Sequence, residues 1–119
     1  MSERPPGLGV RLATGTLLAL CLVAYASAGP GKSHGPGKTY TVTIENMQFN
    51  PQELTVQRGD RIVWVNKDLF PHTATAVSKV FDSGSIAANA SWSYVAGKKG
   101  DYAYGCTFHP TMKARLTVQ

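Results

Sequence analysis

Cys106, His109 and Met112 stand at three-residue intervals in Tyr104-Gly105-Cys106-Thr107-Phe108-His109-Pro110-Thr111-Met112. A thiolate, an imidazole and a thioether therefore share one short loop. A second imidazole, His72, lies upstream in a Pro71-His72 pair. Two His, one Cys and a weak Met is the donor set of a mononuclear blue copper site. Soft sulfur and imidazole nitrogen in a low-coordinate site suit cupric and cuprous copper about equally, so the ligands move little when the charge changes. In that reading Cys106 binds as thiolate, His72 and His109 bind as neutral imidazoles, and Met112 sits off their plane. The chain has two Cys and three His in all, which leaves little for any other metal chemistry.

Each residue has an ordinary reading when taken alone. Cys106 would be a packed small hydrophobe, and Met112 would be core filler. His72, after Pro71, would be an ordinary turn residue, and His109, next to Pro110, a loop surface residue. Their coincidence is what points to a metal. Zinc is the main competitor, but it wants closed tetrahedral Cys/His sites and thioether serves it poorly. A structural zinc site would be one ligand short, and a zinc hydrolase would want a carboxylate base that the motif loop lacks.

The elements that must position these residues start after residue 38. The chain has 119 residues and a formal net charge of +5, so it holds one domain at most. Residues 1–28 read as a secretory signal peptide. Arg4 and Arg11 are basic, Leu12 to Val23 is apolar, and Ala26-Ser27-Ala28 resembles a cleavage site. An uncleaved anchor is the alternative, but the apolar run is short for a span of about 20 residues. A lipoprotein reading through Cys21 is weaker, because Leu20 precedes it where a small residue is wanted. Removal of the signal leaves Cys106 as the sole thiol, which excludes an internal disulfide. Export to the periplasm follows, with no stable membrane association after cleavage. Residues 29–38 are a Gly/Pro-rich linker that contains His34. The remaining Lys and Arg are scattered, with no run of like charge. Nucleic-acid binding is not expected, although the charge could steer an acidic protein partner.

From Lys38 on, period-two alternation dominates. Tyr40, Val42 and Ile44 share one face of a strand, and Met47 to Pro51 reads as a bend. Leu54 and Val56 make a short strand, and Arg58-Gly59-Asp60 is a turn. Arg61 to Asn66 reads as the strongest strand, covered on both faces. Residues 67–71 form a loop that delivers His72, and 73–77 resume a strand. Residues 78–89 are irregular, with one helical turn near Ile86 to Asn89. Strands follow at Ser91–Val95, Asp101–Cys106 and Lys113–Gln119. About eight short strands and almost no helix predict an all-β, antiparallel Greek-key sandwich over residues 39–119.

Residues 39–119 resemble the cupredoxins, within them the plastocyanin/amicyanin group. The resemblance rests on Met47, Phe49, Pro51, Leu54, Val56, Gly59-Asp60, Val63-Trp64-Val65-Asn66, Pro71-His72 and Tyr104-x-Cys106-x-x-His109-Pro110-x-Met112. The short Cys-to-Met loop is most similar to amicyanin. The resemblance implies a Greek-key β-sandwich with one type 1 copper at one end, held by His72, Cys106, His109 and Met112. It further implies a monomeric electron carrier, not an enzyme, whose redox partner proteins dock near His109. Phe70, Pro71, Phe108, Pro110 and Thr111 are the candidate patch. Two departures stand out. Ala114 occupies a position where relatives often have Gly. Thr73 follows His72 where relatives usually have Asn, a residue that helps tie the two ligand loops together. A periplasmic copper carrier or buffer is the second reading, slightly favoured by His34. A multi-site copper enzyme needs more His than remain.

Overall fold

The computed structural model describes residues 35–119 and, before them, only Gly7, Gly9 and Gly15. The signal peptide and most of the linker lie outside the described residues. The described chain forms eight strands: β1 (Thr39–Glu45), β2 (Gln48–Asn50), β3 (Glu53–Val56), β4 (Arg61–Asn66), β5 (Thr75–Ala76), β6 (Ser91–Val95), β7 (Gly100–Gly105) and β8 (Lys113–Val118). They make two four-stranded sheets, in orders β2-β1-β4-β6 and β3-β8-β7-β5. Among the described residues there is no helix.

The sandwich form holds, but its sheets are mixed. β1 runs parallel to β4, with Thr39 opposite Arg61 and Ile44 opposite Asn66. β3 runs parallel to β8, with Glu53 opposite Arg115. The cause is the crossing at Pro51 and Gln52. There the chain leaves β2 in one sheet and enters β3 in the other, so β4 returns to the first sheet on the free side of β1 and runs parallel to it. Sequence periodicity places side chains on faces but is blind to strand direction.

Three further local expectations are corrected. The segment Met47 to Pro51 contains a strand: β2 pairs with β1 through a tight turn at Asn46 and Met47, with φ of 53° and 61°. Positive φ at both positions is what a two-residue hairpin of this twist demands. β4 is not equally covered on both faces, since Ile62, Trp64 and Asn66 are fully buried while Val63 and Val65 are only partly so. Ile86 starts no helical turn; it forms an isolated bridge to His72.

The inward-facing residues form one core around Trp64, joined by Val42, Ile44, Ile62, Leu116 and Val118. Trp64 packs edge-on to Tyr104 at 5.7 Å and against Trp92 and Phe81 at 5.5 and 5.4 Å. Its Nε1–H donates to the Tyr104 hydroxyl at 3.3 Å, which satisfies a polar atom that would be costly to bury alone. Burial pushes the Tyr104 hydroxyl up to about 12, and the Trp64 N–H offsets this in part. This core ties β4 to β7, the two strands whose ends launch the candidate metal ligands.

Candidate metal centre

β4 ends at Asn66, and the loop that follows is clamped. The buried Asn66 amide donates to the carbonyls of Phe70 and Ile86 at 2.7 and 2.9 Å, and its oxygen accepts from the Asp68 N–H. His72 exchanges both backbone hydrogen bonds with Ile86. The imidazole is thus delivered on a fixed backbone and is fully buried.

Its ring is held as well. His72 Nε2 lies 2.8 Å from Asp68 Oδ2. The same carboxylate accepts the N–H groups of Asn46 and Met47 at 2.7 and 3.0 Å. Partial burial pushes the Asp68 carboxyl up, but hydrogen bonds from Met47, His72 and Asn46 outweigh this and leave it below the usual carboxylate range. An ionised Asp68 fixes the proton on Nε2 and leaves Nδ1 as the free donor. Sequence reasoning missed Asp68. Its only trace was a carboxylate four positions before a candidate ligand.

β7 ends at Gly105, one residue before Cys106. The Cys106 N–H donates to the Met112 carbonyl at 3.2 Å, and the Met112 N–H donates to the His109 carbonyl at 3.0 Å. The loop is therefore closed by its own backbone. Gly105 is required here, since a Cβ would lie 2.6 Å from the Met112 oxygen. The second loop is tied to the first. The Thr73 N–H donates to Cys106 Sγ at 3.3 Å, and the Thr107 N–H donates to Thr73 Oγ1 at 2.9 Å. Thr73 therefore bridges the loops directly despite its short reach.

These ties bring three ligand atoms together. His72 Nδ1 and His109 Nδ1 are 3.1 Å apart, and Cys106 Sγ lies 3.8 and 3.5 Å from them. The circle through these atoms has a radius of about 2.0 Å, the length of a first-row metal–imidazole bond and slightly short for metal–sulfur. Three lone-pair donors aimed at one point fit a shared cation. Among the described residues no carboxylate joins this group, so it lacks the fourth strong ligand of a closed zinc site. Met112, the fourth predicted residue, is buried next to the loop it closes.

His72 is sealed, whereas His109 is partly exposed. Phe70 and Phe108, both predicted for the patch, are 60% and 52% exposed, and Leu69, which was not, is 85% exposed. Pro71, Pro110 and Thr111 are exposed too. The loops that carry the ligands thus also carry large apolar side chains into solvent, against the usual economy of a surface.

A two-sheet sandwich with a nitrogen–nitrogen–sulfur triangle carried on the loops that follow β4 and β7 is the architecture of a small copper protein. The family model of the cupredoxin-like domain matches residues 15–118, and the chain belongs to that family. It is 29% identical over 112 residues to amicyanin-alpha of Methylorubrum extorquens, covering 90% of this chain and 88% of that protein. It is 29% identical over 83 residues to amicyanin of Paracoccus denitrificans, covering 66% of this chain and 63% of that protein. A solved Cu(I) structure of a methionine-to-alanine mutant of amicyanin matches with a TM-score of 0.64 at 27% identity, covering 68% of this chain and 82% of that one.

Proposed function

We infer that this chain is a blue copper electron carrier, not an enzyme, in which His72, Cys106, His109 and Met112 would hold one copper ion. The convergence of the two Nδ1 atoms and Cys106 Sγ carries this reading. Bound there, copper supplies a one-electron couple between its cupric and cuprous states.

The chain's own residues do the rest. Asp68 holds the His72 tautomer, and Thr73 holds the two ligand loops at a fixed separation. Buried His72 and Cys106 keep water from the donor triangle. His109 is partly exposed, and the two ligand loops also present Leu69, Phe70 and Phe108 to solvent as an apolar collar. Redox partner proteins dock on this apolar collar, and a small contact of this kind releases quickly. The domain works as a monomer in the periplasm, exported by the signal peptide of residues 1–28.

The rival role, a copper buffer, is separated by voltammetry in the presence of a copper chelator. The electron-carrier reading expects repeated reversible one-electron cycles with the metal retained. Rapid loss of copper to the chelator on reduction would overturn it.

A further inference from the structure

The loop bridge at Thr73 does not end there. Thr75 Oγ1 lies 3.0 Å from Thr73 Oγ1 and 2.9 Å from Asp82 Oδ1. On the other side, Thr73 Oγ1 lies 3.2 Å from Thr107 Oγ1 and accepts the Thr107 N–H. Three hydroxyls thus connect a carboxylate in the turn after β5 to the loop that carries Cys106 and His109. Thr73 and Thr75 are almost fully buried, while Asp82 reaches solvent.

The direction of these bonds follows from proton counting. Thr75 has one hydroxyl proton and two acceptors within reach. The carboxylate is the stronger acceptor, and it cannot donate when ionised. Thr75 is the donor in both bonds, so Asp82 and Thr73 share its one proton. The Thr73 oxygen accepts from Thr75 and from the Thr107 N–H, and it faces the Thr107 hydroxyl. Chains of hydroxyls aligned this way polarise one another. Hydrogen bonds from the Gly84 N–H and Thr75 hold the Asp82 carboxyl below its ordinary range despite some burial, helped by Lys79, so it is ionised at neutral pH.

We propose that Asp82 is a remote positioning residue for the metal site: it holds the Thr75 hydroxyl against Thr73, and this relay of Asp82, Thr75, Thr73 and Thr107 locks the loop of Cys106 and His109 onto the loop of His72. Asp82 touches none of the candidate ligands and acts only through Thr75. The proposal deepens the copper reading above by naming what fixes the separation of the two ligand loops. The relay is built from the chain alone, so it is tested on the metal-free protein, separately from copper binding.

The test is site-resolved amide hydrogen exchange on the apoprotein of Asp82→Ala, Thr75→Val and the double variant. Thr75→Val keeps the Gly84 N–H bond to Asp82 Oδ1, so it cuts the relay while leaving that turn intact. Each single variant is expected to raise exchange at the Thr107 amide by about tenfold, the scale of one lost hydrogen bond. The double variant is expected to exchange no faster than Thr75→Val alone, while the Cys106 amide, held by Met112, stays unchanged. In copper-loaded protein the same variants should release copper to a chelator several-fold faster and shift the reduction potential. A wild-type rate at Thr107 in Asp82→Ala, or a double variant whose effect is the product of the two singles, would overturn the proposal.

Discussion

Asp68 shows how much one side chain contributes here. Its carboxylate serves His72 on one side and the strained Asn46–Met47 turn on the other. Replacing it with Ala frees the His72 ring and leaves two turn amides without their acceptor. Loss of such a partner lowers metal affinity by about 10- to 100-fold. Competition titration against a chelator should show that drop for Asp68→Ala, and an unchanged affinity would contradict the role given to it. Tyr104 makes a prediction of a different kind. Its hydroxyl is held up at about 12 in the fold, against about 10 in the unfolded chain. Below pH 10 both states are protonated and no stability is lost. Between pH 10 and about 12 only the unfolded chain gives up this proton, so stability falls as pH rises, by roughly 3 kcal/mol in all. Denaturant titrations across this range should show a shallower decline for Tyr104→Phe. That variant should also be less stable at neutral pH by about 1–2 kcal/mol, since Trp64 Nε1 loses its acceptor.

At the scale of elements, the turn from β7 into the Cys106 loop is the tightest contact of the site. An alanine at 105 would press its Cβ against the Met112 oxygen. The backbone of Cys106 and Met112 would have to part, at a cost of about 1–3 kcal/mol. Gly105→Ala should therefore lower the thermal midpoint and alter the copper spectrum together. A lowered midpoint with the spectrum intact would mean that the loop yields elsewhere. Alternation placed Tyr40, Val42 and Ile44 on the correct face, because the buried face of a strand is written every second residue. The parallel pairing of β1 with β4 left no such mark. Nor did β2, whose three residues are too few to show a period. Its turn depends on φ values that Asn favours and Met does not, and the Asp68 carboxylate that supports them comes from a distant loop.

For the whole molecule, two sheets bring residues 34 positions apart, His72 and Cys106, to a 3.8 Å contact. Their types and the Cys-x-x-His-x-x-Met spacing made all four candidate ligands legible in the sequence. The groups that hold them, Asp68, Thr75 and Asp82, were not, because a hydrogen bond between loops has no spacing rule. The proposed partner surface lies on the same loops. Phe108→Asp puts a charge into the apolar collar without touching the donor triangle. It should slow electron transfer with a redox partner by about tenfold or more while leaving the copper spectrum as it was. Equal rates for variant and wild type would move the docking site elsewhere.

The proposed copper site joins a Cys106 thiolate and two imidazoles at one ion. The visible absorption spectrum of the protein loaded with one equivalent of cupric copper tests it most directly. An intense thiolate-to-copper band, blue to the eye, bleached by a one-electron reductant and absent from Cys106→Ser, is the expected result. A weak spectrum typical of copper bound by nitrogen and oxygen alone, or one that survives Cys106→Ser, would contradict it.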